Sequence, residues 1–227
     1  MRGAVPILAA MVPEPLRDGL LIVAGYLIGS IPMGVLVARL TGGQDPRAIG
    51  SGRTGGTNAI RAMGPVRGVA VGLLDLGKGL AAVLLARVAG AGDLALALVG
   101  IAAVSGAWRS IFLRLQGGRG VATGIGAMLG IAPLAIVLAA PIFFGAVIVT
   151  SYVSMGSLLG TASVVLITAG LVAAGIAAAP TLLYAVVSAA IIYVAHADNI
   201  RRLLAGTERR TDLRQLTSRE DASAGPR

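Results

Sequence analysis

Long apolar runs alternate with short polar, glycine-rich stretches along this chain. The first run covers about Leu20 to Leu40, the second Val66 to Val88 and the third Leu94 to Leu113. Each is long enough to cross the hydrocarbon core as a helix. The stretch from Val121 to Thr150 exceeds one ordinary span, and Pro133 divides it, because a proline inside a helical pattern ends or kinks the helix. Its first piece, Val121 to Ile131, would reach roughly 16 Å, about half the hydrocarbon thickness. It reads as a half-helix or a strongly tilted one. The second piece, Leu134 to Thr150, nearly spans, and two more runs follow at about Ser157 to Ala174 and Thr181 to Ala195. The pattern predicts an all-α, polytopic integral membrane protein of about seven transmembrane helices, one of them short or broken.

Composition supports that reading. Hydrophobic residues make up 56% of the chain and charged residues 13%, with a mean hydropathy of +0.87. A water-soluble domain carries closer to a quarter charged residues. The apolar stretch 3–12 is interrupted by Pro13-Glu14-Pro15 before any clear cleavage site, so it does not read as a signal peptide. There is no cysteine, which excludes disulfides and thiolate chemistry, and His196 is the only histidine. A zinc site built on several His and Cys ligands is therefore excluded, and neither a metal nor another cofactor is expected. The net charge of +9 fits a membrane face better than a nucleic-acid partner, since aromatic residues for base stacking are only 4% of the chain.

The arginines also set an expected topology. Arg47, Arg53, Arg61 and Arg67 lie in or beside the first polar loop, and Arg109, Arg114 and Arg119 flank the loop after the third span. Arg201, Arg202, Arg209, Arg210, Arg214, Arg219 and Arg227 follow the last span. Seven crossings put all three groups on one side and leave Arg2, Arg17 and Arg87 on the other. The positive-inside rule then predicts a multi-pass protein of the cell membrane with its N-terminus outside and its C-terminus in the cytoplasm.

The polar motifs fall on that cytoplasmic side. Gly50-Ser-Gly-Arg-Thr-Gly-Gly-Thr-Asn58 is followed by Arg61. Its glycines let the backbone turn tightly and aim N–H groups at a ligand, while Arg53 and Arg61 offer planar forks suited to phosphate or carboxylate. The plainer alternative is a flexible loop capped by Thr57 or Asn58 before a short helix. Gly117-Gly-Arg-Gly120 opens the half-helix, and a helix N-terminus attracts anions. There the alternative is a tight interhelical turn with packing glycines. Asp75 and Lys78 lie one turn apart within the second span and are expected to pair beside the site. Gly72 to Gly79 resembles a Walker A loop but lies in a membrane span and has Gly79 where Ser or Thr is required, so ATP binding is rejected. Ser154 and Ser157 precede the sixth span at cap spacing. His196, Asn199 and Arg202 share a face where the last span emerges.

In this order and on these spans, the clusters resemble the bacterial membrane-bound acyl-phosphate:glycerol-3-phosphate acyltransferase family. The likeness begins at Gly29-Ser-Ile-Pro-Met-Gly34 and runs through GSGRTGGTN with Arg61, Asp75 with Lys78-Gly79, GGRGVATGIG and SYVSMGS to HADNIRRLLAGTE. It departs from the usual pattern at Arg53 (usually Asn), Gly56 (commonly Ala), Arg119 (usually Lys), Ala107 (usually His) and Ser110 (usually Pro).

The resemblance implies transfer of a fatty acyl group from acyl phosphate to the 1-hydroxyl of glycerol 3-phosphate, giving lysophosphatidic acid and phosphate. The H-x-x-x-x-D pair of other glycerolipid acyltransferases is absent, since position 201 is Arg. Carried over residue by residue, it implies catalytic roles for Ser51, Arg61, His196 and Asn199. Substrate binding would fall to Gly50, Gly52, Thr57, Asn58, Lys78, Gly117, Gly118, Arg119, Gly120, Ser154 and Glu208. The general base is either His196 or a substrate phosphate oxygen. Partners are the two substrates and membrane lipids, with the protein a monomer that binds no nucleic acid. Residues 1–205 form the transmembrane catalytic domain and 206–227 a polar, partly disordered cytoplasmic tail. The competing class is a small exporter of an organic anion, which would also use broken helices and buried charge.

Overall fold

The computed structural model describes residues 13–210, and all the regular structure in them is helical. The helices are α1 (Glu14–Ser30), α2 (Met33–Leu40), α3 (Gly56–Met63), α4 (Pro65–Val88) and α5 (Asp93–Trp108). They continue as α6 (Val121–Ile131), α7 (Pro133–Thr150), α8 (Val153–Ala173), α9 (Ala179–Ala195) and α10 (Ala197–Leu204). The spans built on α4, α5, α7 and α8 are long and apolar enough to cross a membrane alone. The pairs α1–α2 and α9–α10 qualify together, bent by 46° and 62°, and α6 is the short apolar helix. The expected set of seven segments is present, one short and two bent. The expectations about residues 3–12 and about disorder in the tail beyond Arg210 lie outside the described residues.

The first segment departs from the continuous span expected over Leu20 to Leu40. It breaks at Ile31-Pro32, because Pro32 has no N–H to donate and pushes Ile31 out of the helical region, to φ −57° and ψ 119°. A break inside a membrane frees carbonyls that must find partners within the protein. Ser110 Oγ donates to the Ser30 carbonyl at 2.6 Å, and Lys78 Nζ to the Ile31 carbonyl at 2.9 Å. Lys78 also pairs with Asp75 at 2.7 Å. Lys78, expected in the substrate-binding set, is thus committed to holding the broken helix.

Two other boundaries move. Helix α5 ends at Trp108 rather than Leu113, and a 3-10 turn at Ile111–Leu113 follows. Helix α8 starts at Val153, so Ser154 and Ser157 lie inside its first turns rather than before it, and Ser157 Oγ bonds back to the Val153 carbonyl at 2.9 Å.

The half-helix α6 is held by direct backbone approach. On α4, a Cβ at Gly79 would collide with the Thr123 carbonyl, and on α6 a Cβ at Gly126 would collide with that of Leu76. From α9, the Tyr184 hydroxyl donates to the Gly124 carbonyl at 2.7 Å. Val83, Val104, Met128 and Tyr184 form the buried core around these contacts. The N-terminus of α6, with Arg119 before it, is fixed from two sides.

Candidate active site

The first polar loop folds around Asn58, which is 3% exposed. Its Nδ2 donates to the carbonyls of Pro46, Ile49 and Arg53 at 2.6, 3.0 and 2.8 Å, and its Oδ1 accepts the Ser51 N–H at 3.1 Å. Both N–H groups of the amide are thereby used, shared among three carbonyls, and one lone pair of Oδ1 is taken. Asn58, expected beside a phosphate, shapes the loop instead. It caps nothing, since α3 begins after Gly55 with no side-chain cap. Gly50 and Gly52 take left-handed backbone at φ +58° and +68°, and any side chain at Gly50 would strike Asn58 Oδ1. The loop leaves the Ser51 hydroxyl buried with no protein partner and Thr57 partly buried at the start of α3.

The second loop closes onto the end of α5. Gly117 N–H donates to the Trp108 carbonyl at 3.0 Å and Gly118 N–H to that of Ala107 at 2.8 Å. These two groups, expected in an anion cradle, are therefore taken. Gly120 is left-handed at φ +78° and caps α6, so the N–H groups without an intrahelical partner are those of the first helical turn beyond it. The two loops touch: a Cβ at Gly118 would lie 3.6 Å from both Gly55 N and Thr54 Oγ1.

The third contribution comes from the corner between α9 and α10. His196 lies past the end of the span, 2% exposed, with Nδ1 2.8 Å from the Ile192 carbonyl. A carbonyl only accepts, so Nδ1 carries the proton and Nε2 the lone pair. Burial pushes the imidazole down to about 4, against the opposing pull of the Ile192 carbonyl, so the ring is neutral near pH 7. Glu208 returns from beyond α10 and is clamped. Its Oε1 accepts from Asn199 Nδ2 at 2.6 Å and Ser154 Oγ at 3.1 Å, and its Oε2 accepts from Arg202 Nε at 2.7 Å. The boundary expected at 205 therefore cuts through this cluster, and the working unit reaches at least Glu208. Asn199 Oδ1 stays buried with no protein partner.

Charge is distributed unevenly over this head. Arg119 Nη2 pairs with Asp198 Oδ2 at 2.9 Å, and Arg202 reaches the same oxygen at 3.3 Å. Arg53 and Arg61 form no ion pair among the described residues. Arg61 has an exposed side chain by area, yet lost hydration and then repulsion from Arg209 hold its guanidinium below the ordinary arginine pKa. It remains charged and has open donors.

Beside the head lies an apolar cavity of about 230 Å³ lined by Val121, Gly124, Met128, Phe143, Tyr184 and Ile192, among others. Val121 is two residues from Arg119, and Ile192 is the residue whose carbonyl holds His196. A polar, cationic head thus adjoins an apolar chamber within the membrane-spanning helices. That combination suits a ligand with a phosphate at one end and a hydrocarbon chain at the other.

A family described as glycerol-3-phosphate acyltransferase matches residues 19–206. The chain belongs to that family. A glycerol-3-phosphate acyltransferase of Geobacter sulfurreducens is 43% identical over 195 residues, covering 86% of this chain and 98% of the relative. One from Thermus thermophilus is 41% identical over 185 residues, covering 82% and 90%. The glycerol 3-phosphate form of PlsY, an integral membrane glycerol 3-phosphate acyltransferase, superposes with a TM-score of 0.80 at 35% identity, covering 88% of this chain and 98% of that one. Its lysophosphatidic acid form gives 0.77 at 33% identity. Membership in this acyltransferase family favours the enzyme over the exporter that the broken helices also allowed.

Of the residues singled out in the sequence, the structure gathers Ser51, Thr57, Arg61, Gly117, Gly118, Arg119, Gly120, Ser154, His196, Asn199 and Glu208 at one end of the acyltransferase. Lys78 stands apart in the fold. Asp198 and Arg202 were not among the expected site residues, although an acid and an arginine four apart on one helix signal an ion pair. The cavity had no sequence signal, because its lining comes from helices far apart in the chain and looks like any apolar span.

Proposed function

We propose that this protein transfers a fatty acyl group from acyl phosphate to the 1-hydroxyl of glycerol 3-phosphate, giving lysophosphatidic acid and inorganic phosphate. The observation that carries the reading is the cationic head, built from two adjoining glycine-rich loops, lying beside an apolar cavity. Arg61, Ser51 and Thr57 would hold the phosphate of glycerol 3-phosphate. Arg119 and the first N–H groups of α6 would hold the acyl phosphate, whose chain would enter the cavity.

In the reaction the hydroxyl oxygen attacks the acyl carbon, a C–O ester bond forms, and the C–O bond to phosphate breaks with its electron pair leaving on phosphate. Two acceptors are available for the hydroxyl proton: a phosphate oxygen of the substrate, and His196 Nε2, whose basicity burial weakens. The mixed anhydride is already activated, so catalysis rests on positioning and on arginines facing the departing charge. In this reading the protein works as a monomer among membrane lipids and needs no cofactor.

Two experiments test this reading. Purified protein in detergent should form lysophosphatidic acid from acyl phosphate and labelled glycerol 3-phosphate without acyl-CoA or acyl carrier protein. Efficient use of acyl-CoA with acyl phosphate ignored would sink the donor assignment. The chain has no native cysteine, so topology is read from single introduced ones. We expect cysteine at Asp93 to react with an impermeant thiol reagent on intact cells, and cysteine at Arg47 to react only in inverted membranes; both side chains are exposed. The reverse pattern would invert the N-out, C-in arrangement.

A further inference from the structure

Asp198 sits between two arginines that come from different parts of the chain. Its Oδ2 takes Arg119 Nη2 at 2.9 Å from the second glycine loop, and Arg202 Nη1 at 3.3 Å and Nη2 at 3.4 Å from its own helix. Arg119 also donates through Nε to the Ala195 carbonyl at the end of α9, at 3.4 Å. The Nε–Nη2 edge of the Arg119 guanidinium is therefore fixed on the α9–α10 corner, and Nη1 makes no hydrogen bond among the described residues. Arg202 in turn is tied to Glu208, which holds Ser154 and Asn199. The chain of contacts runs from the glycine loop to the start of α8.

We propose that Asp198 is the positioning residue for Arg119: by bridging Arg119 and Arg202 it aims the open Nη1 edge of the Arg119 guanidinium at the phosphate of the acyl donor. This rests on the acyl-phosphate reading above. The requirement is specific to an arginine at this position. A planar guanidinium binds phosphate well in only a few orientations, whereas an ammonium is a rotatable point charge that needs no such aiming. An unheld Arg119 would also face Arg53 and Arg202, which repel it. Asp198 itself is kept ionised: burial works to raise its pKa, but Arg119 and then Arg202 prevail and hold it below the usual carboxylate value. Its negative charge lowers the positive potential of the head, so removing it has two opposed effects. Misorientation outweighs the potential gain here, because one charge-assisted hydrogen bond is worth more than one charge removed from a solvent-open cluster that already holds Arg53, Arg61 and Arg202.

The test is steady-state kinetics in detergent on Asp198→Asn, Asp198→Glu, Arg119→Lys and the double variant Arg119→Lys/Asp198→Asn, after wild type has been shown to use acyl phosphate. That first result decides the donor reading separately. Asp198→Asn should raise the KM for acyl phosphate roughly tenfold, the size of one lost charge-assisted hydrogen bond, while the KM for glycerol 3-phosphate stays within about twofold. Asp198→Glu should recover part of that loss. In the Arg119→Lys background the Asn substitution should cost little, because there is no guanidinium to aim. An unchanged or lower KM for acyl phosphate in Asp198→Asn would overturn the proposal. So would an equal cost in both backgrounds, or a loss on both substrates that merely tracks melting temperature.

Discussion

Arg61→Ala should lose activity by about a hundredfold or more in kcat/KM for glycerol 3-phosphate while staying folded and inserted, the cost of removing a charged partner from a phosphate. Arg61 extends from the short helix α3, its side chain is exposed, and it forms no ion pair among the described residues. Little of the fold depends on it. Its nearest charges are Arg209, Glu208 and Arg202, which place its guanidinium over the head of the site. Arg61→Lys keeps the charge but gives up the two-pronged grip, and roughly tenfold should still be lost. Both variants should be measured by steady-state kinetics with melting curves alongside. Near-normal affinity for glycerol 3-phosphate in folded Arg61→Ala would remove Arg61 from the site. Activity lost only in step with stability would make it a tether for the loop.

Gly79→Ala should destabilise the protein strongly, whereas Gly77→Ala, two residues away on the same helix, should be neutral or mildly stabilising. A Cβ at Gly77 meets nothing within 4 Å, while one at Gly79 strikes the Thr123 carbonyl of α6. Both changes bring the same gain in helix propensity, about 1 kcal/mol, so the pair isolates the clash. Overpacking between two backbones costs about 1–3 kcal/mol, and at the upper end the apparent Tm of Gly79→Ala in detergent should lie roughly 6–12 °C below that of Gly77→Ala. Activity should fall further than stability explains, because separating α6 from α4 shifts the helix end that follows Arg119. Equal melting temperatures for the two variants would show that the α4–α6 approach is slack.

The pattern of apolar runs was enough to read the all-helical membrane architecture, since hydrocarbon thickness sets helix length in a way that sequence records directly. Pro133 marked the half-helix because the apolar stretch it divides is too long for one span, whereas Pro141 lies inside α7 without ending it. The glycine-rich loops and Arg61 stood out because cationic forks and tight turns are local chemistry, while roles for His196 and Glu208 came only from the family resemblance. The break at Pro32 had no such signal of excess length, because Leu20 to Leu40 has the length of a single span.

What the tertiary structure decided was which polar groups remain open to a ligand. Asn58, Gly117 N–H and Gly118 N–H looked available in the sequence, yet they are taken by the carbonyls of Pro46, Ile49 and Arg53, then Trp108 and Ala107, while Lys78 pairs with Asp75 as their spacing suggested and also holds the Ile31 carbonyl. Those carbonyls are freed by loops and by a helix break in a setting with little water, so the protein must supply the donors itself. Asp198 gained its place only because α10 turns by 62° and meets the loop before α6. The sequence alone determined the number and kind of segments and the chemistry gathered at one end, because bilayer thickness and side-chain type act locally. Only the tertiary structure divided that chemistry between fold and site, because hydrogen-bond partners in a membrane protein are settled by where distant segments meet.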